Sequence, residues 1–207
     1  MTSASFIQAF DSISESMTAN CAYLTELDQR SGDGDLGISM KNGFGAVSAA
    51  FKDRDIADLG LLMKTAGSVL NENSPSTLGT ILSIGMMGMA KALKGKTDVS
   101  MPELSAALDA GIKTISDRAN SKRGEKTILD SLCPAADALR EAADKESWPD
   151  ALAAAAESAK RGSDSTKTMK ATHGRAAYYG EKSIGLIDGG SVVGWLIFAA
   201  IAKQAQI

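Results

Sequence analysis

The chain has 207 residues, 44% of them hydrophobic and 23% charged, which is typical of a globular domain rather than of a disordered segment. A formal net charge of −3 excludes the electrostatic footprint of a protein that binds nucleic acid or an anionic membrane. The longest apolar stretch, 192–202, is too short to span a bilayer, and residues 1–10 lack the pattern of a signal peptide. We therefore expect a single cytoplasmic domain over residues 1–207, with no nucleic-acid or membrane partner.

Helix formers dominate the apolar part of the sequence, in which Ala and Leu are abundant and aromatic residues make up only 5% of the chain. Helix-period segments alternate with short polar connections, and nothing reads as an alternating strand with hairpin turns. Ser100 ahead of Pro102 and Glu103 is a helix-start signal, and Gly95 after two lysines is a stop signal. The sequence predicts an all-α fold of eight helices, at 3–26, 38–51, 56–71, 77–94, 101–119, 125–143, 148–171 and 190–205.

Few side chains are available for covalent chemistry. Cys21 and Cys133 are far apart and have no metal-ligand spacing, so we expect two buried thiols in a reducing compartment. His173 is the only histidine and has no evident mate. A serine- or cysteine-hydrolase mechanism is therefore not expected.

The most informative stretch is the acidic loop Leu27-Asp28-Gln29-Arg30-Ser31-Gly32-Asp33-Gly34-Asp35-Leu36-Gly37. Three carboxylates within eight residues repel one another unless a cation lies among them. Oxygen-only ligands on a flexible glycine loop suit a hard cation, Mg²⁺ especially. Because Mg²⁺ usually takes only one or two protein carboxylates, three aspartates suggest two ions. The alternative is a solvated acidic turn.

Two other motifs match this loop only in part. Gly32, Gly34 and Gly37 have the spacing of the dinucleotide-binding fingerprint, but the preceding residues look helical, and that fingerprint follows a strand. An EF-hand begun at Asp33 would need Glu at its twelfth position, where Phe44 stands. Both motifs are therefore rejected.

A second loop, Asn73-Ser74-Pro75-Ser76-Thr77-Leu78-Gly79-Thr80, separates two apolar helices. Hydroxyls and free backbone N–H groups at a helix start can bind an anion, although Ser76 or Thr77 could equally be an ordinary N-cap. The chain contains no Walker sequence with its lysine. If phosphate binds here, the metal of the acidic loop must supply the positive charge.

Two further glycine-containing loops lie in the second half of the chain. The segment 123–128 opens the predicted helix 125–143 and could close over a ligand, or could be a plain helix start with surface charges. The loop 173–190 contains Arg175 and Asp188, which could form a structural ion pair. Neither loop identifies a chemistry by itself.

In this order, the loops resemble the ADP-binding L subunit of dihydroxyacetone kinases, the DhaL or DAK2-domain family. The ordered set is specific and extends over most of the chain. The matching pieces are Leu27-Asp28, Gly32-Asp33-Gly34-Asp35-Leu36-Gly37, Met40, Gly43-Phe44, Gly79-Thr80, Gly124-Glu125-Lys126-Thr127, Asp130, Pro134, Gly174-Arg175-Ala176, Tyr179-Gly180-Glu181-Lys182-Ser183-Ile184-Gly185 and Asp188-Gly189.

The resemblance implies an antiparallel eight-helix barrel with a nucleotide, ADP or ATP, at one end. It implies two Mg²⁺ ions that are held by Asp28, Asp33 and Asp35 and bridge the phosphates. It also implies a nucleotide pocket in which Ser39 touches a phosphate, Ile128 packs on the adenine, and further contacts come from Leu36, Asn73, Ser74, Thr77, Arg175, Asp188, Gly189 and Gly190.

In that family the sugar is bound covalently to a histidine of a separate K subunit. The resemblance therefore implies in-line phosphoryl transfer to a ketose hydroxyl on this partner, with no nucleophile contributed by the present chain. The phosphate donor is either exchangeable ATP or a bound ADP coenzyme that a phosphohistidine protein of the sugar phosphotransferase system rephosphorylates. No residue of the sequence distinguishes these two modes.

The sequence departs from the family pattern at two places. Leu36 stands where family members often have His, and residues 73–77 replace the frequent Gly-Gly-Ala-Ser-Gly segment. These departures leave room for another ketose, such as the tetrulose erythrulose. Two different functions are also compatible with the pattern, namely a non-catalytic nucleotide sensor that binds a regulator and a fatty-acid kinase of the same superfamily.

Overall fold

The computed structural model describes residues 1–52, 54, 56–143 and 145–206 and has an all-α architecture there. Apart from one isolated bridge between Thr2 and Asp98, these residues contain no β-structure. The all-α prediction is confirmed. The helices are α1 (Ser3–Ala19), α2 (Cys21–Gln29), α3 (Leu36–Phe51), α4 (Leu59–Asn73), α5 (Thr77–Ala92), α6 (Met101–Ala119), α7 (Leu129–Ala142), α8 (Trp148–Ser165) and α9 (Gly189–Gln204), with 3-10 segments at Thr166–Thr168 and Arg175–Ser183.

Local side-chain caps explain where several helices begin. Ser100 and Glu103 form a reciprocal capping box at the start of α6, as the sequence signal indicates. Asp58, Ser76 and Ser147 accept hydrogen bonds from backbone N–H groups in the first turns of α4, α5 and α8. Each cap satisfies a donor that has no partner within the helix.

Several predicted helix bounds are wrong for identifiable reasons. The predicted helix 3–26 is two helices, because the chain leaves helical geometry at Asn20. The predicted helix 125–143 begins only at Leu129, because Lys126 has a left-handed backbone with φ of +60°. The predicted helix 56–71 begins at Leu59, after the Asp58 cap, and the predicted helix 148–171 ends at Ser165.

Eight of the helices form a closed ring. From α3 to α9 each helix packs against the next in the chain, α9 packs against α1, and α1 packs against α3. The short α2 lies outside this sequence of contacts and packs against α3 and α9. The ring agrees with the eight-helix barrel that the resemblance implies, and α2 raises the number of α-helices in the described residues to nine.

The interior of the ring is apolar. Phe44, Met40 and Leu62 are fully buried there, and an apolar cavity of about 150 Å³ remains among their neighbours. None of the predicted metal-binding or nucleotide-binding residues lines this cavity. Cys21 and Cys133 are half-buried rather than buried as predicted, and both are free. No helix in the described ranges has the length and apolarity of a membrane span.

Candidate functional site

The three aspartates of the acidic loop converge between α2 and α3. Asp28 lies in the last turn of α2, Asp33 lies in the loop, and Asp35 is the residue that precedes α3. One carboxylate oxygen from each lies within 4.8 Å of the others. Asp28 is half-buried, whereas Asp33 and Asp35 are exposed. The predicted ligand set is therefore brought together in space and remains open on one side.

The Asp28 carboxylate is fixed by the loop around it. Its Oδ2 accepts hydrogen bonds from the backbone N–H groups of Gly34 (2.8 Å) and Asp35 (3.1 Å). Its Oδ1 lies so close to Gly32 that a Cβ atom at that position would be only 2.1 Å away. The loop thus holds one oxygen of Asp28 by hydrogen bonds and leaves the other for a ligand.

The surroundings of Asp35 disfavour its negative charge. Partial burial and the nearby charges of Asp33 and Asp28 raise the pKa of Asp35 above its ordinary value, and Arg175 partly offsets the rise. A divalent cation among the three oxygens would remove this repulsion. Carboxylate oxygens at this spacing match the preference of Mg²⁺ for hard ligands, so the residues present fit the predicted metal.

Arg175 belongs to the acidic loop rather than to Asp188. Its guanidinium Nη2 lies 2.5 Å from Oδ2 of Asp33, and both side chains are largely exposed. The alternative of an Arg175–Asp188 ion pair is therefore wrong, because the Asp188 carboxylate faces the first turn of α9 and accepts a hydrogen bond from the Ser191 N–H. The contact to Asp33 places a cation at the open side of the aspartate cluster.

The polar side chains of the second loop, residues 73–80, differ in burial and in hydrogen-bond partners. Ser76 is the N-cap of α5, which it forms by accepting a bond from the Gly79 N–H (3.1 Å). Ser74 is fully buried, and its hydroxyl lies 3.3 Å from that of Ser76. The Asn73 amide is exposed and donates to the Val69 carbonyl of its own helix.

The hydroxyl-bearing residues of the predicted phosphate contacts also differ in exposure. Thr77, in the first turn of α5, is exposed, whereas Ser39 on α3 is buried. Thr77 is therefore accessible to a ligand as the structure stands. Ser39 keeps only 8% of its surface exposed.

The first turn of α9 is the place where the other loops meet. Added Cβ atoms would come within 2.7 Å of the Leu36 side chain at Gly189, and within 3.6 Å of both the Ile128 backbone and the Leu78 side chain at Gly190. Five of the predicted residues, namely Leu36, Ile128, Asp188, Gly189 and Gly190, are thus brought together. A helix N-terminus presents unpaired N–H groups and a positive dipole end, which favour an anion.

Asp188 is the N-cap of α9 and lies in surroundings that disfavour its charge. Burial raises the pKa of its carboxyl to about 7, although the Ser191 N–H and the charge of Lys126 both act to lower it. The nearby carboxylates Asp130 and Asp28 add to the rise. The Asp28 carboxylate of the acidic loop therefore acts electrostatically on Asp188 at the start of α9.

Two charged side chains, one in the loop 120–128 and one in the first turn of α7, are buried, which the sequence did not reveal. Asp130 accepts hydrogen bonds from the N–H groups of Gly124 (2.6 Å) and Thr127 (2.8 Å). Lys126 is only 4% exposed and donates to the carbonyls of Thr166 and Leu186. The interpretation of this segment as a helix start with surface charges is therefore wrong for Lys126. No local pattern marks a lysine as buried.

The loop 173–190 is tied to the loop 120–128 through the sole histidine. His173 Nε2 lies 2.6 Å from Oε2 of Glu125, and the Lys122 N–H donates to the same oxygen at 3.0 Å. Hydrogen bonding to His173, together with that from Lys122, lowers the pKa of Glu125. Glu125 therefore joins the two loops through hydrogen bonds.

Comparison with known proteins reveals one family over most of the chain. Residues 30–203 match the model of the DAK2 domain. The chain is 34% identical to the ADP-binding subunit DhaL of PEP-dependent dihydroxyacetone kinase 1 from Listeria innocua, over 91% of this chain and 90% of that protein. It is 31% identical to the ADP-binding subunit DhaL of the PEP-dependent dihydroxyacetone kinase of Escherichia coli, over 89% of this chain and 88% of that one.

The fold is also similar to that of solved structures. The dihydroxyacetone kinase of C. freundii superposes on 98% of this chain with a TM-score of 0.78 in its native form and 0.76 in its complex with AMP-PNP and Mg²⁺, at 20% sequence identity. This chain spans about a third of the length of that kinase. At this level of identity the likeness concerns the fold.

Proposed function

Because this chain belongs to the DAK2 domain family, we propose that it is the nucleotide- and magnesium-binding subunit of a dihydroxyacetone kinase. The observation that carries the proposal is the convergence of the Asp28, Asp33 and Asp35 carboxylates on one open point. The site is completed by the first turn of α9, which provides N–H groups suited to a phosphate.

In this proposal Asp28, Asp33 and Asp35 are metal ligands and not general bases. The free Oδ1 of Asp28 and the exposed carboxylates of Asp33 and Asp35 would hold Mg²⁺, two ions according to the number of carboxylates. When bound, Mg²⁺ supplies neutralisation of phosphate charge. The residues of the chain orient the ligands: Gly32 leaves room for the Asp28 carboxylate, and the backbone of residues 34–35 holds it in place.

The nucleotide would extend from the acidic loop across the start of α9. Arg175 is paired with Asp33, so its guanidinium is suited to contact a phosphate oxygen. The Thr77 hydroxyl and the first-turn N–H groups of α5 would face the phosphates, with Ser39, Asn73 and Ser74 as further contacts. Leu36 and Ile128 beside Gly189 and Gly190 form an apolar surface on which the adenine would lie.

The chain would act by positioning. Phosphoryl transfer depends mainly on alignment of the donor with the acceptor and on charge neutralisation, so no side chain of this subunit needs to form a covalent bond. The acceptor would be a hydroxyl of dihydroxyacetone, or of a related short ketose, bound to a separate sugar-binding subunit.

We favour bound ADP, rephosphorylated by a phosphohistidine protein, over exchangeable ATP as the phosphate source. The support is the similarity to ADP-binding subunits of PEP-dependent kinases from two bacteria. In this mode the nucleotide is a coenzyme and should remain bound through purification.

Two measurements on the purified chain test the proposal. The protein is first purified with Mg²⁺, denatured, and the released nucleotide is chromatographed. Stoichiometric ADP supports the coenzyme mode, whereas an empty protein that binds Mg-ATP reversibly supports the ATP-dependent mode. Phosphate transfer to dihydroxyacetone, and to erythrulose as a second acceptor, is then measured with a sugar-binding subunit added, once with ATP and once with a phosphohistidine protein of the phosphotransferase system as phosphate donor. Binding of Mg-nucleotide without any transfer would contradict the kinase assignment and indicate a nucleotide sensor.

A further inference from the structure

Lys126 is buried where three segments meet behind the start of α9. Its ammonium Nζ donates a 2.7 Å hydrogen bond to the Thr166 carbonyl, in the 3-10 segment after α8, and a second bond to the Leu186 carbonyl. Lys126 itself precedes α7. One side chain therefore joins the loop 120–128, the end of α8 and the segment that leads into α9.

Both the burial and the backbone of Lys126 are unfavourable by themselves. An ammonium group withdrawn from water is destabilising unless hydrogen bonds and opposite charges replace its hydration. Here two carbonyls and the nearby carboxylates of Asp188 and Asp130 provide that replacement. A left-handed backbone at a residue with a side chain is also strained, and such strain persists where the surrounding structure requires it.

The groups that Lys126 holds belong to a buried polar network that supports the Asp188 turn. The Thr166 hydroxyl accepts a hydrogen bond from the Asp188 N–H at 3.0 Å. The Ser191 hydroxyl donates to the Asp188 carbonyl at 2.8 Å and lies 2.9 Å from the hydroxyl of Ser163. Lys126 thus anchors Thr166, which bonds to Asp188, and Leu186, which lies two residues before Asp188.

We propose that Lys126 is a positioning residue for the nucleotide site, which holds the Thr166 and Leu186 carbonyls so that the turn into α9 keeps one orientation. Without the ammonium, these two carbonyls lose a shared donor, and the turn 186–190 is free to shift relative to α8. Gly189 and Gly190 lie directly against Leu36, Leu78 and Ile128. A shift of this turn would therefore displace the apolar surface proposed for the adenine. The link to the nucleotide rests on the proposed function, whereas the link to the turn does not.

Hydrogen exchange on the nucleotide-free chain tests the link to the turn. Lys126→Met keeps a chain of similar length and removes the donor, and Lys113→Met, an exposed lysine paired with Asp117 on α6, is the control. Loss of a charged hydrogen bond predicts roughly tenfold faster exchange of the Asp188 and Ser191 amides in Lys126→Met. Exchange in α1 and α3 should match the wild type. Unchanged exchange at residues 188–191, or equal acceleration throughout the chain, would overturn the proposal.

Affinity for Mg-ADP, measured well below the melting temperature, tests the link to the nucleotide. We expect roughly tenfold weaker binding for Lys126→Met and wild-type binding for Lys113→Met. Accelerated exchange with unchanged affinity would overturn the positioning role. If the wild type itself binds no Mg-ADP, the proposed function fails. The hydrogen-exchange result then still shows whether Lys126 holds the turn 186–190 in place. Should Lys126→Met not fold, Thr166→Val removes the acceptor of the Asp188 N–H and must produce the same two effects.

Discussion

Gly32 lies against the Asp28 carboxylate, so substitution by alanine tests whether the position of this carboxylate is functional. A Cβ at residue 32 would lie 2.1 Å from Asp28 Oδ1 and 2.8 Å from its Cγ, whereas an ordinary contact begins near 3.4 Å. The carboxylate must therefore retreat by more than 1 Å. Metal ligands tolerate deviations of only about 0.2 Å, so an oxygen displaced this far no longer coordinates the same ion.

The expected loss follows from this displacement. Changes that misplace a metal ligand typically cost about 10- to 100-fold in metal affinity, or about 1.4–2.8 kcal/mol. We expect a fall of this size in Mg-dependent ADP affinity for Gly32→Ala, measured by isothermal titration calorimetry at fixed Mg²⁺. The N–H groups of Gly34 and Asp35 would lose their acceptor, but both lie near solvent, so the free energy of unfolding should fall by no more than about 1 kcal/mol.

Gly45→Ala is the matched control. Gly45 lies within α3, and a Cβ there would have only the Ser14 hydroxyl nearby, at 3.9 Å. Alanine is a better helix former than glycine by about 1 kcal/mol, so this variant should unfold at higher temperature and bind Mg-ADP as the wild type does. Wild-type affinity in Gly32→Ala would mean that the position of the Asp28 carboxylate does not matter to the ligand, contrary to its proposed role as a metal ligand.

Two further predictions concern stability. Gly162→Ala would place a Cβ 1.9 Å from the Asp130 carbonyl where α8 crosses α7, and a backbone atom cannot retreat as a side chain can. We therefore expect the free energy of unfolding, measured by heat or urea, to fall by about 1–3 kcal/mol or more. A variant as stable as the wild type would contradict this packing. Hydrogen bonds from Lys96 and Ser100 lower the pKa of Glu103 to about 2. A lowered carboxyl pKa stabilises the fold above the unfolded-state value near 4.5 and loses that effect as pH falls towards 2. Urea unfolding of wild type and Glu103→Gln should therefore differ at pH 6 and converge near pH 2, whereas a difference that is independent of pH would show that the charge of Glu103 is irrelevant.

The fold was predictable from the sequence because its signals are local. Helix-period apolar residues and capping residues such as Ser100 act within a few positions of one another. The break at Asn20 and the late start of α7 escaped prediction because they depend on single backbone conformations. The left-handed backbone of Lys126 occurs where its ammonium group bonds to the carbonyls of Thr166 and Leu186. These residues are 40 and 60 positions further along the chain, so no local pattern encodes the contact.

The candidate site divides in the same way. The aspartate cluster was predictable because three like charges on a short glycine loop have few explanations without a cation. The contact of Arg175 with Asp33 was not, because the two residues are remote in sequence and Asp188 offered an equally plausible carboxylate. The burial of Asp130 and Lys126 depends on how α7, α8 and α9 pack together, so it could be seen only in the folded chain.

Calorimetric titration of ADP into wild type and Asp33→Ala, each stripped of bound nucleotide and measured with and without Mg²⁺, tests the acidic loop as the metal site most directly. Asp117→Ala, an exposed aspartate on α6, is the control for the loss of one surface carboxylate. We expect the wild type and the control to bind ADP only when Mg²⁺ is present. We expect no binding to Asp33→Ala, although its circular dichroism should remain that of the helical fold. Equal affinity of Asp33→Ala and wild type in Mg²⁺ would contradict the assignment of the acidic loop as the metal site.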